Sequence, residues 1–388
     1  MKIYYIFYEY LDGALGGGSH IWEISENFAA LGHETILFCP RIRKFRKETS
    51  LKVKYLFCID FSIIRIITYN LSVFFYLLYD CLRRPPDIIY YRESLVFPAP
   101  LLISLIFRIP LVVEVNSDSL LDLEGTISPI LYSLLKWYQN RVYEYGNKFI
   151  YVSKGLKKIF KMRYPHRGTD MLAVSNGTNA AHFKPMEPGQ CREKLGLERE
   201  ALVVGFIGTF LAHQGINNLI ACASRVISQF PQVRFLMVGD GPLRRSIETS
   251  VNELELKGHF IFAGAIPYRT LPLYINAMDV CAAPYSMTRN AATGISPLKL
   301  FDYLSCGKPV VGSNIPEMGN IIRESEAGIV VEPDNTIELA EAITRLLADA
   351  NLRNRLGSNG RKLILDKYNW TAIARTILEY CTIAAMKK

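Results

Sequence analysis

Thr293-Gly294-Ile295-Ser296-Pro297-Leu298-Lys299-Leu300-Phe301-Asp302-Tyr303-Leu304 is the stretch on which the reading of this 388-residue chain turns. It reads as a loop delivering the backbone into a short helix. Ser296 suits the N-cap and Pro297 the first helical position, where a missing N–H costs nothing. Leu298, Phe301 and Leu304 fall three apart and predict one buried stripe. Gly307 closes the helix and Lys308-Pro309 keeps it from resuming. Lys299 is the anomaly. A cation in the first turn faces the positive end of the helix dipole. The position becomes favourable when an anion sits between that cation and the free backbone N–H groups. Asp302 follows one turn deeper on the same face. A diphosphate on Lys299 and ribose hydroxyls on Asp302 would use both side chains. An exposed Lys–Asp pair on an ordinary helix accounts for the same residues, so the surrounding chain has to decide.

Working outward, strand and helix signals alternate. Residues 2–8 read as a buried strand, followed by a Gly-rich loop from Leu11 to His20, a helix carrying Ile21, Ile24, Phe28 and Leu31, and a strand from Glu34 to Phe38. That is a βαβ unit whose first turn lets a ligand approach the backbone. Strands from Asp87, Pro110 and Lys148 end at Arg92-Glu93, Asn116 and Ser153-Lys154, so polar residues collect past strand ends, where open α/β sheets place ligands. Residues 186–199 are rich in Pro, Gly and charge and read as a linker. A second α/β series starts at Ala201, with strands ending at Gly208, at Gly239-Asp240 and before Pro284. Helices are expected over 336–348, 351–367 and from Trp370 to about Met386.

Bulk composition narrows the function. Half the residues are hydrophobic and 21% are charged, so both halves can build a core. The net charge of +9 is concentrated in the first half: Arg41 to Lys54 with a single acid, and Lys154 to Arg167. Such patches suit nucleic acid, an anionic membrane or phosphorylated substrates, or remain solvated faces. The eight Cys lack CxxC spacing and the six His form no ligand pair, which argues for buried thiols and against a metal. No run reaches about 18 uninterrupted apolar residues, the threshold for a spanning helix. Residues 61–82 approach it but contain Arg65, Asn70 and Asp80. The start of the chain lacks a signal-peptide cleavage pattern.

The chain resembles a family 4 retaining glycosyltransferase of the GT-B fold over nearly its whole length, most strongly from about residue 171. The resemblance is carried by Val174-Ser175-Asn176-Gly177-Thr178, Gly205-Phe206-Ile207-Gly208-Thr209, Val238-Gly239-Asp240-Gly241-Pro242, Phe262-Ala263-Gly264, the stretch quoted above through Val311, and Ala327 to Val331. It implies an α/β architecture of two Rossmann-like domains facing each other across a cleft. Residues 1–185 would form the acceptor domain, 186–200 a linker and 201–369 the nucleotide-sugar domain. A terminal helix, 370–388, would pack back toward the first domain. The implied donor is a nucleotide-diphosphate sugar of the UDP or GDP type, with no cofactor, no metal and no nucleic-acid partner. The implied acceptor is a glycan or lipid-linked glycan in surface polysaccharide assembly. The expected location is cytoplasmic, peripheral at the inner face of the cell membrane.

Residue by residue, the family's ribose carboxylate falls on Asp302, and its sugar-contacting Glu falls on Gly294. Its two phosphate cations fall on Thr209 and Gln214, neither of which is basic, so Lys299 is the expected replacement. The donor set becomes Gly17, Thr209, Gln214, Asp240, Ile266, Ser296, Pro297, Leu298 and Asp302. Lys299, Asn116 (near the position of a family His) and Gly18 form the catalytic set. His20, Arg92 and Glu93 are candidates for the acceptor. Two other readings fit the departures: a same-fold nucleotide-sugar enzyme that is not a transferase, such as a 2-epimerase or phosphorylase, or a catalytically weak partner of another transferase.

Overall fold

The computed structural model describes residues 1–8, 16–41, 51–95, 97–287 and 294–386. Residues 9–15, residues 42–50 of the first basic segment, and Thr293 lie outside them. The chain divides into two compact units, residues 1–175 with 371–388 and residues 176–370.

The first unit is built on a seven-stranded parallel sheet in the order β3-β2-β1-β4-β5-β6-β7. The strands are β1 (Lys2–Ile6), β2 (Glu34–Pro40), β3 (Lys52–Leu56), β4 (Ile88–Arg92), β5 (Leu111–Val115), β6 (Lys148–Tyr151) and β7 (Met171–Ala173). Both faces of the sheet are covered, so the strands read as nearly continuous apolar runs. The edge strand β3 differs: it alternates exposed and half-buried residues, which hid it inside the basic segment. The helices are α1 (Gly16–Ala30), α2 (Ser62–Arg83), α3 (Ala99–Phe107), α4 (Ser119–Leu123), α5 (Pro129–Tyr145) and α6 (Lys154–Arg163). Tyr69 and Val73 of α2, Ile103 of α3, Val142 of α5 and Phe160 of α6 join one core cluster with Tyr4, Ile89 and Val113, so these four helices share one face of the sheet. Helix α1 lies on the other, where Phe28 meets Tyr90 edge-on and Asn27 accepts a hydrogen bond from Thr371 of the C-terminal helix.

The second unit repeats the plan with six parallel strands in the order β10-β9-β8-β11-β12-β13. They are β8 (Val203–Ile207), β9 (Arg234–Val238), β10 (Phe260–Gly264), β11 (Val280–Ala283), β12 (Val310–Ser313) and β13 (Gly328–Val331). Its helices are α7 (Pro188–Lys194), α8 (Ile216–Gln229), α9 (Arg244–Glu253), α10 (Leu271–Ala277), α11 (Leu298–Ser305), α12 (Met318–Glu324), α13 (Thr336–Ala348) and α14 (Ala350–Asp366); α15 (Trp370–Ala385) begins here and continues in the first unit. In both sheets the strand order reverses beside the first strand, the topology of a doubly wound nucleotide-binding fold.

The division between units differs from the expected one. It falls at Ser175/Asn176, and residues 186–200 are not a free linker. They hold α7, whose Arg192 is buried and bonds the Ala277 carbonyl at 3.0 Å and Asp279 at 2.7 Å. The charge that read as linker composition is a packed ion pair. The Gly-rich first turn is also tighter than expected: Gly16, Gly17 and Gly18 are already helical, forming the first turn of α1. All eight cysteines are free thiols. Among the described residues no helix is long and apolar enough to cross a membrane.

Candidate active site

In the second unit, β8 and β11 are neighbours at the reversal of strand order, and α11 reaches it from the side. Tyr303 of α11 takes the Ile207 N–H at 2.7 Å, which ties the helix to the end of β8. At its far end, Gly307 adopts a left-handed φ of 70°. Its N–H and that of Lys308 bond the Leu304 and Tyr303 carbonyls, a Schellman closure.

The start of α11 is built differently from the sequence expectation. Pro297 is the N-cap and Leu298 the first helical residue. Ser296 does not cap. Its Oγ accepts the Asn176 N–H at 2.8 Å and its carbonyl accepts Asn176 Nδ2 at 2.7 Å. A side chain committed to a distant backbone N–H leaves the helix start to the extended Pro297. Asp302 accepts Thr178 Oγ1 at 2.6 Å. Asn176 and Thr178 are therefore tied to the residue before the N-cap of α11 and to its second turn.

Lys299 does not pair with Asp302, so the surface salt-bridge explanation falls away. Its Nζ donates to Gln214 Oε1 at 2.7 Å and lies 3.9 Å from the Phe206 ring centre and 4.9 Å from that of Tyr285. Burial pushes this amine well below the ordinary lysine range. It rests on the turn after β8: a Cβ at Gly208, where φ is 150°, would lie 2.8 Å from Nζ. The ammonium has thus been carried to Gly208 and Gln214, beside the positions where the family resemblance expects cations. Thr209 is exposed next to it. Asp240, after β9, is exposed and accepts the Gly241 N–H at 2.7 Å. Ile266, after β10, packs on the unit's core. Pro297 is buried and Leu298 half-buried.

Gly294, where a sugar-contacting Glu was expected, has a backbone reason. Its φ is 61°, and a Cβ there would come within 3.1 Å of the Pro316 carbonyl oxygen. The left-handed conformation and the neighbouring strand end both favour glycine at this position.

In the first unit the sequence candidates converge on a residue of lesser rank in the sequence reading. Glu114, in the central strand β5, is 1% exposed. Its Oε2 accepts Tyr90 OH at 2.6 Å and Tyr5 OH at 3.2 Å. Its Oε1 accepts Asn116 Nδ2 at 2.7 Å and Arg92 NH1 at 3.0 Å, and His20 Nε2 of α1 stands 3.0 Å away. Burial opposes the charge, but His20, Arg92 and Asn116 outweigh it and hold the carboxyl well below the usual range. Gly18, two residues before His20, is buried. The signal for this cluster was one acid inside Leu-Val-Val-Glu-Val, since a charge in a strand buried on both faces requires partners.

Glu93 does not join the cluster. Successive strand-end residues point to opposite sides. While Arg92 turns to Glu114, Glu93 accepts Gln139 Nε2 at 3.3 Å and lines a separate cavity with Tyr8 and Ser119. Burial pushes its carboxyl up to about 7, with Gln139 opposing and nearby Asp118 adding. Among the described residues no group of His, Cys, Asp and Glu is arranged to hold a metal ion.

Comparison with known proteins follows the same division. Residues 15–182 match the family described as Glycosyltransferase Family 4, and residues 190–363 match Glycosyl transferases group 1. The α-D-kanosaminyltransferase of Streptomyces kanamyceticus is 24% identical over 281 residues, 70% of each chain; other curated relatives align over as little as 46% of their length. Among solved structures, sucrose-phosphate synthase from Thermosynechococcus elongatus superposes with a TM-score of 0.78 at 20% identity, covering 100% of both chains. Anabaena Alr3699/HepE in complex with UDP-glucose superposes with a TM-score of 0.76 at 18% identity, covering 98% of this chain and 99% of that one. The two family matches, in their order along the chain and on two doubly wound sheets, place this protein in glycosyltransferase family 4, with the GT-B fold.

Proposed function

We propose that the protein transfers a hexosyl or N-acetylhexosaminyl group, with retention, from a UDP-sugar to a glycan acceptor carried on a lipid. The observation that supports this most is Lys299: a desolvated amine with no carboxylate partner among the described residues, held by Gln214 and two rings at the end of β8. A diphosphate would supply the counter-charge such a cation lacks. Choosing UDP follows from the UDP-glucose complex of the HepE neighbour.

In a front-face displacement the bond from the anomeric carbon to the leaving phosphate oxygen breaks while the acceptor oxygen bonds to the same face. The acceptor proton passes to the leaving oxygen. The protein needs no strong base, only fixed donors where phosphate charge develops. Lys299 fills that role, and Gln214 aims it. Asp302, aligned by Thr178, would take the ribose hydroxyls.

The outer surface of the first unit supports a lipid acceptor and a peripheral seat on an anionic membrane. Helices α2, α3 and α5 lie in one layer and leave Leu71, Phe75, Leu105, Ile130, Leu134 and Trp137 exposed. Basic α6, with Lys154, Lys158 and Lys161 exposed, follows them. Apolar side chains beside lysines fit an interface carrying anionic lipid. Co-sedimentation with phosphatidylcholine vesicles, with and without phosphatidylglycerol, tests the seat. Absence of binding to anionic vesicles at low salt removes it.

The transfer reading is tested by a thermal-shift screen of UDP, GDP and their sugars, followed by transfer assays on lipid-linked acceptors. UDP-sugars are expected to raise the melting temperature and to support turnover. Binding without turnover on every acceptor would mark a non-catalytic partner, and conversion of donor without acceptor an epimerase.

A further inference from the structure

The first unit contains a cavity of about 290 Å³ at the C-terminal end of β4. Its lining is mixed: Glu93 and Ser94, which follow β4, and Ser119, which opens α4, are polar, and Leu95, Leu123 and Leu135 are apolar. Its size suits one sugar ring, and its wall suits the apolar face of such a ring.

The charge in the cavity defines what it can hold. Arg92 reaches its rim but commits its guanidinium to Glu114 at 3.0 Å. Arg163, whose charge acts on Glu93, commits to Asp118 at 2.6 Å. Glu93 is left with an amide, Gln139, at 3.3 Å. Glu93 is half-buried, and burial that raises its carboxyl favours any ligand that donates hydrogen bonds to it. A phosphate would be repelled by this acid in its charged form, whereas hydroxyls or an amine would satisfy it.

The leucine wall does not stop at the cavity. Leu135 packs with Leu95 and Leu120 in a small separate cluster, and Leu121, Leu131 and Leu134 on the same two helices are 52%, 43% and 57% exposed. A ligand with its polar ring at Glu93 would lay an apolar tail along this ridge.

We propose that this cavity binds the terminal sugar of the acceptor, a neutral or amino sugar carried on a lipid chain, with Glu93 and Ser119 receiving its hydroxyls and the α4–α5 ridge receiving the lipid. The proposal deepens the transferase reading and rests on it for the word acceptor, but the cavity's chemistry stands by itself.

The test uses the full chain with octyl β-glucoside, octyl N-acetyl-β-glucosaminide, the corresponding methyl glycosides and glucose 6-phosphate as probes, by saturation-transfer NMR and titration. Octyl glycosides are expected to bind at least about tenfold more tightly than methyl glycosides, a difference of roughly 1.4 kcal/mol, and glucose 6-phosphate not at all. Glu93→Gln, which keeps a hydrogen-bonding partner for Gln139, and Leu123→Trp, which fills the cavity, should each weaken octyl glycosides at least about tenfold. Both should leave the UDP-induced thermal shift unchanged. Equal octyl-glycoside binding by wild type and Leu123→Trp, preference for glucose 6-phosphate, or no glycoside binding while UDP binds, overturns the cavity. Glycoside binding without any UDP response keeps the cavity and overturns the donor reading instead.

Discussion

Each unit sets a charge near the end of its sheet, Glu114 buried and Lys299 half-buried, and the two are kept in opposite ways. Glu114 collects two tyrosines, an asparagine, an arginine and a histidine within 3.2 Å. Lys299 has one amide oxygen at 2.7 Å and two ring faces. The first charge is satisfied by the fold and the second is not. A carboxylate with its partners in place stabilises the strand ends that meet around it. A cation short of counter-charge lowers stability and waits for an anion. On this contrast Glu114 is the structural charge and Lys299 the one proposed for chemistry.

The sharpest way to break that assignment is Glu114→Ala. It strands Arg92 and His20 in a buried site and should cost about 3–5 kcal/mol of stability, read as a lower urea midpoint. An unchanged midpoint with lost acceptor binding would move Glu114 into the binding machinery. Lys299→Met should do the reverse: transfer falls about 10²–10³-fold, roughly 3–4 kcal/mol in barrier, while the melting temperature holds or rises. Near-normal turnover would remove Lys299 from the mechanism.

A smaller effect is expected at Asp302. Asp302→Asn and Thr178→Val should each weaken UDP about tenfold, near 1.4 kcal/mol, with little change in turnover at saturating donor. An unchanged donor Kd would sink the ribose assignment.

The pH dependence sharpens the contrast further. Lys299 is lowered from its ordinary value, so between its folded pKa and 10.5 the unfolded chain binds more protons than the native one. Its contribution to stability therefore improves as pH rises through that window, and Lys299→Met should flatten the slope there. Glu114 is also lowered, but as an acid it adds stability above the unfolded carboxylate pKa and loses it as pH falls through the folded one. UDP binding should favour the charged amine and take up a proton, detectable by calorimetry in buffers of different ionisation enthalpy. Proton release in place of uptake would contradict a phosphate role for Lys299.

Much of this is legible in the sequence. Alternating strand runs, helical spacing and Gly/Pro punctuation located most strands and the long C-terminal helices, because those patterns reflect neighbours in sequence. The edge strand β3 was hidden because half its residues face water and carry lysine. Helix α7 was read as linker because its Arg192 is charged, and nothing nearby in sequence reveals a buried partner 87 residues away at Asp279. Ser296 read as a cap because its local context allowed it; a backbone N–H 120 residues earlier claimed it instead.

By itself, the chain of residues determined two α/β halves, a short helix after Pro297 and a lysine in its first turn that ordinary helix electrostatics disfavours. Those follow from local propensity, period and charge. Tertiary structure decided what the lysine meets. Gln214 stands 85 residues from Lys299, and Thr178 stands 124 from Asp302, and only the order of strands in the sheet brings such residues together. The same holds for Glu114, whose partners come from β1, α1, β4 and the loop after β5. Side-chain pairing across a parallel sheet is set by which strands become neighbours, and that is a property of the whole fold.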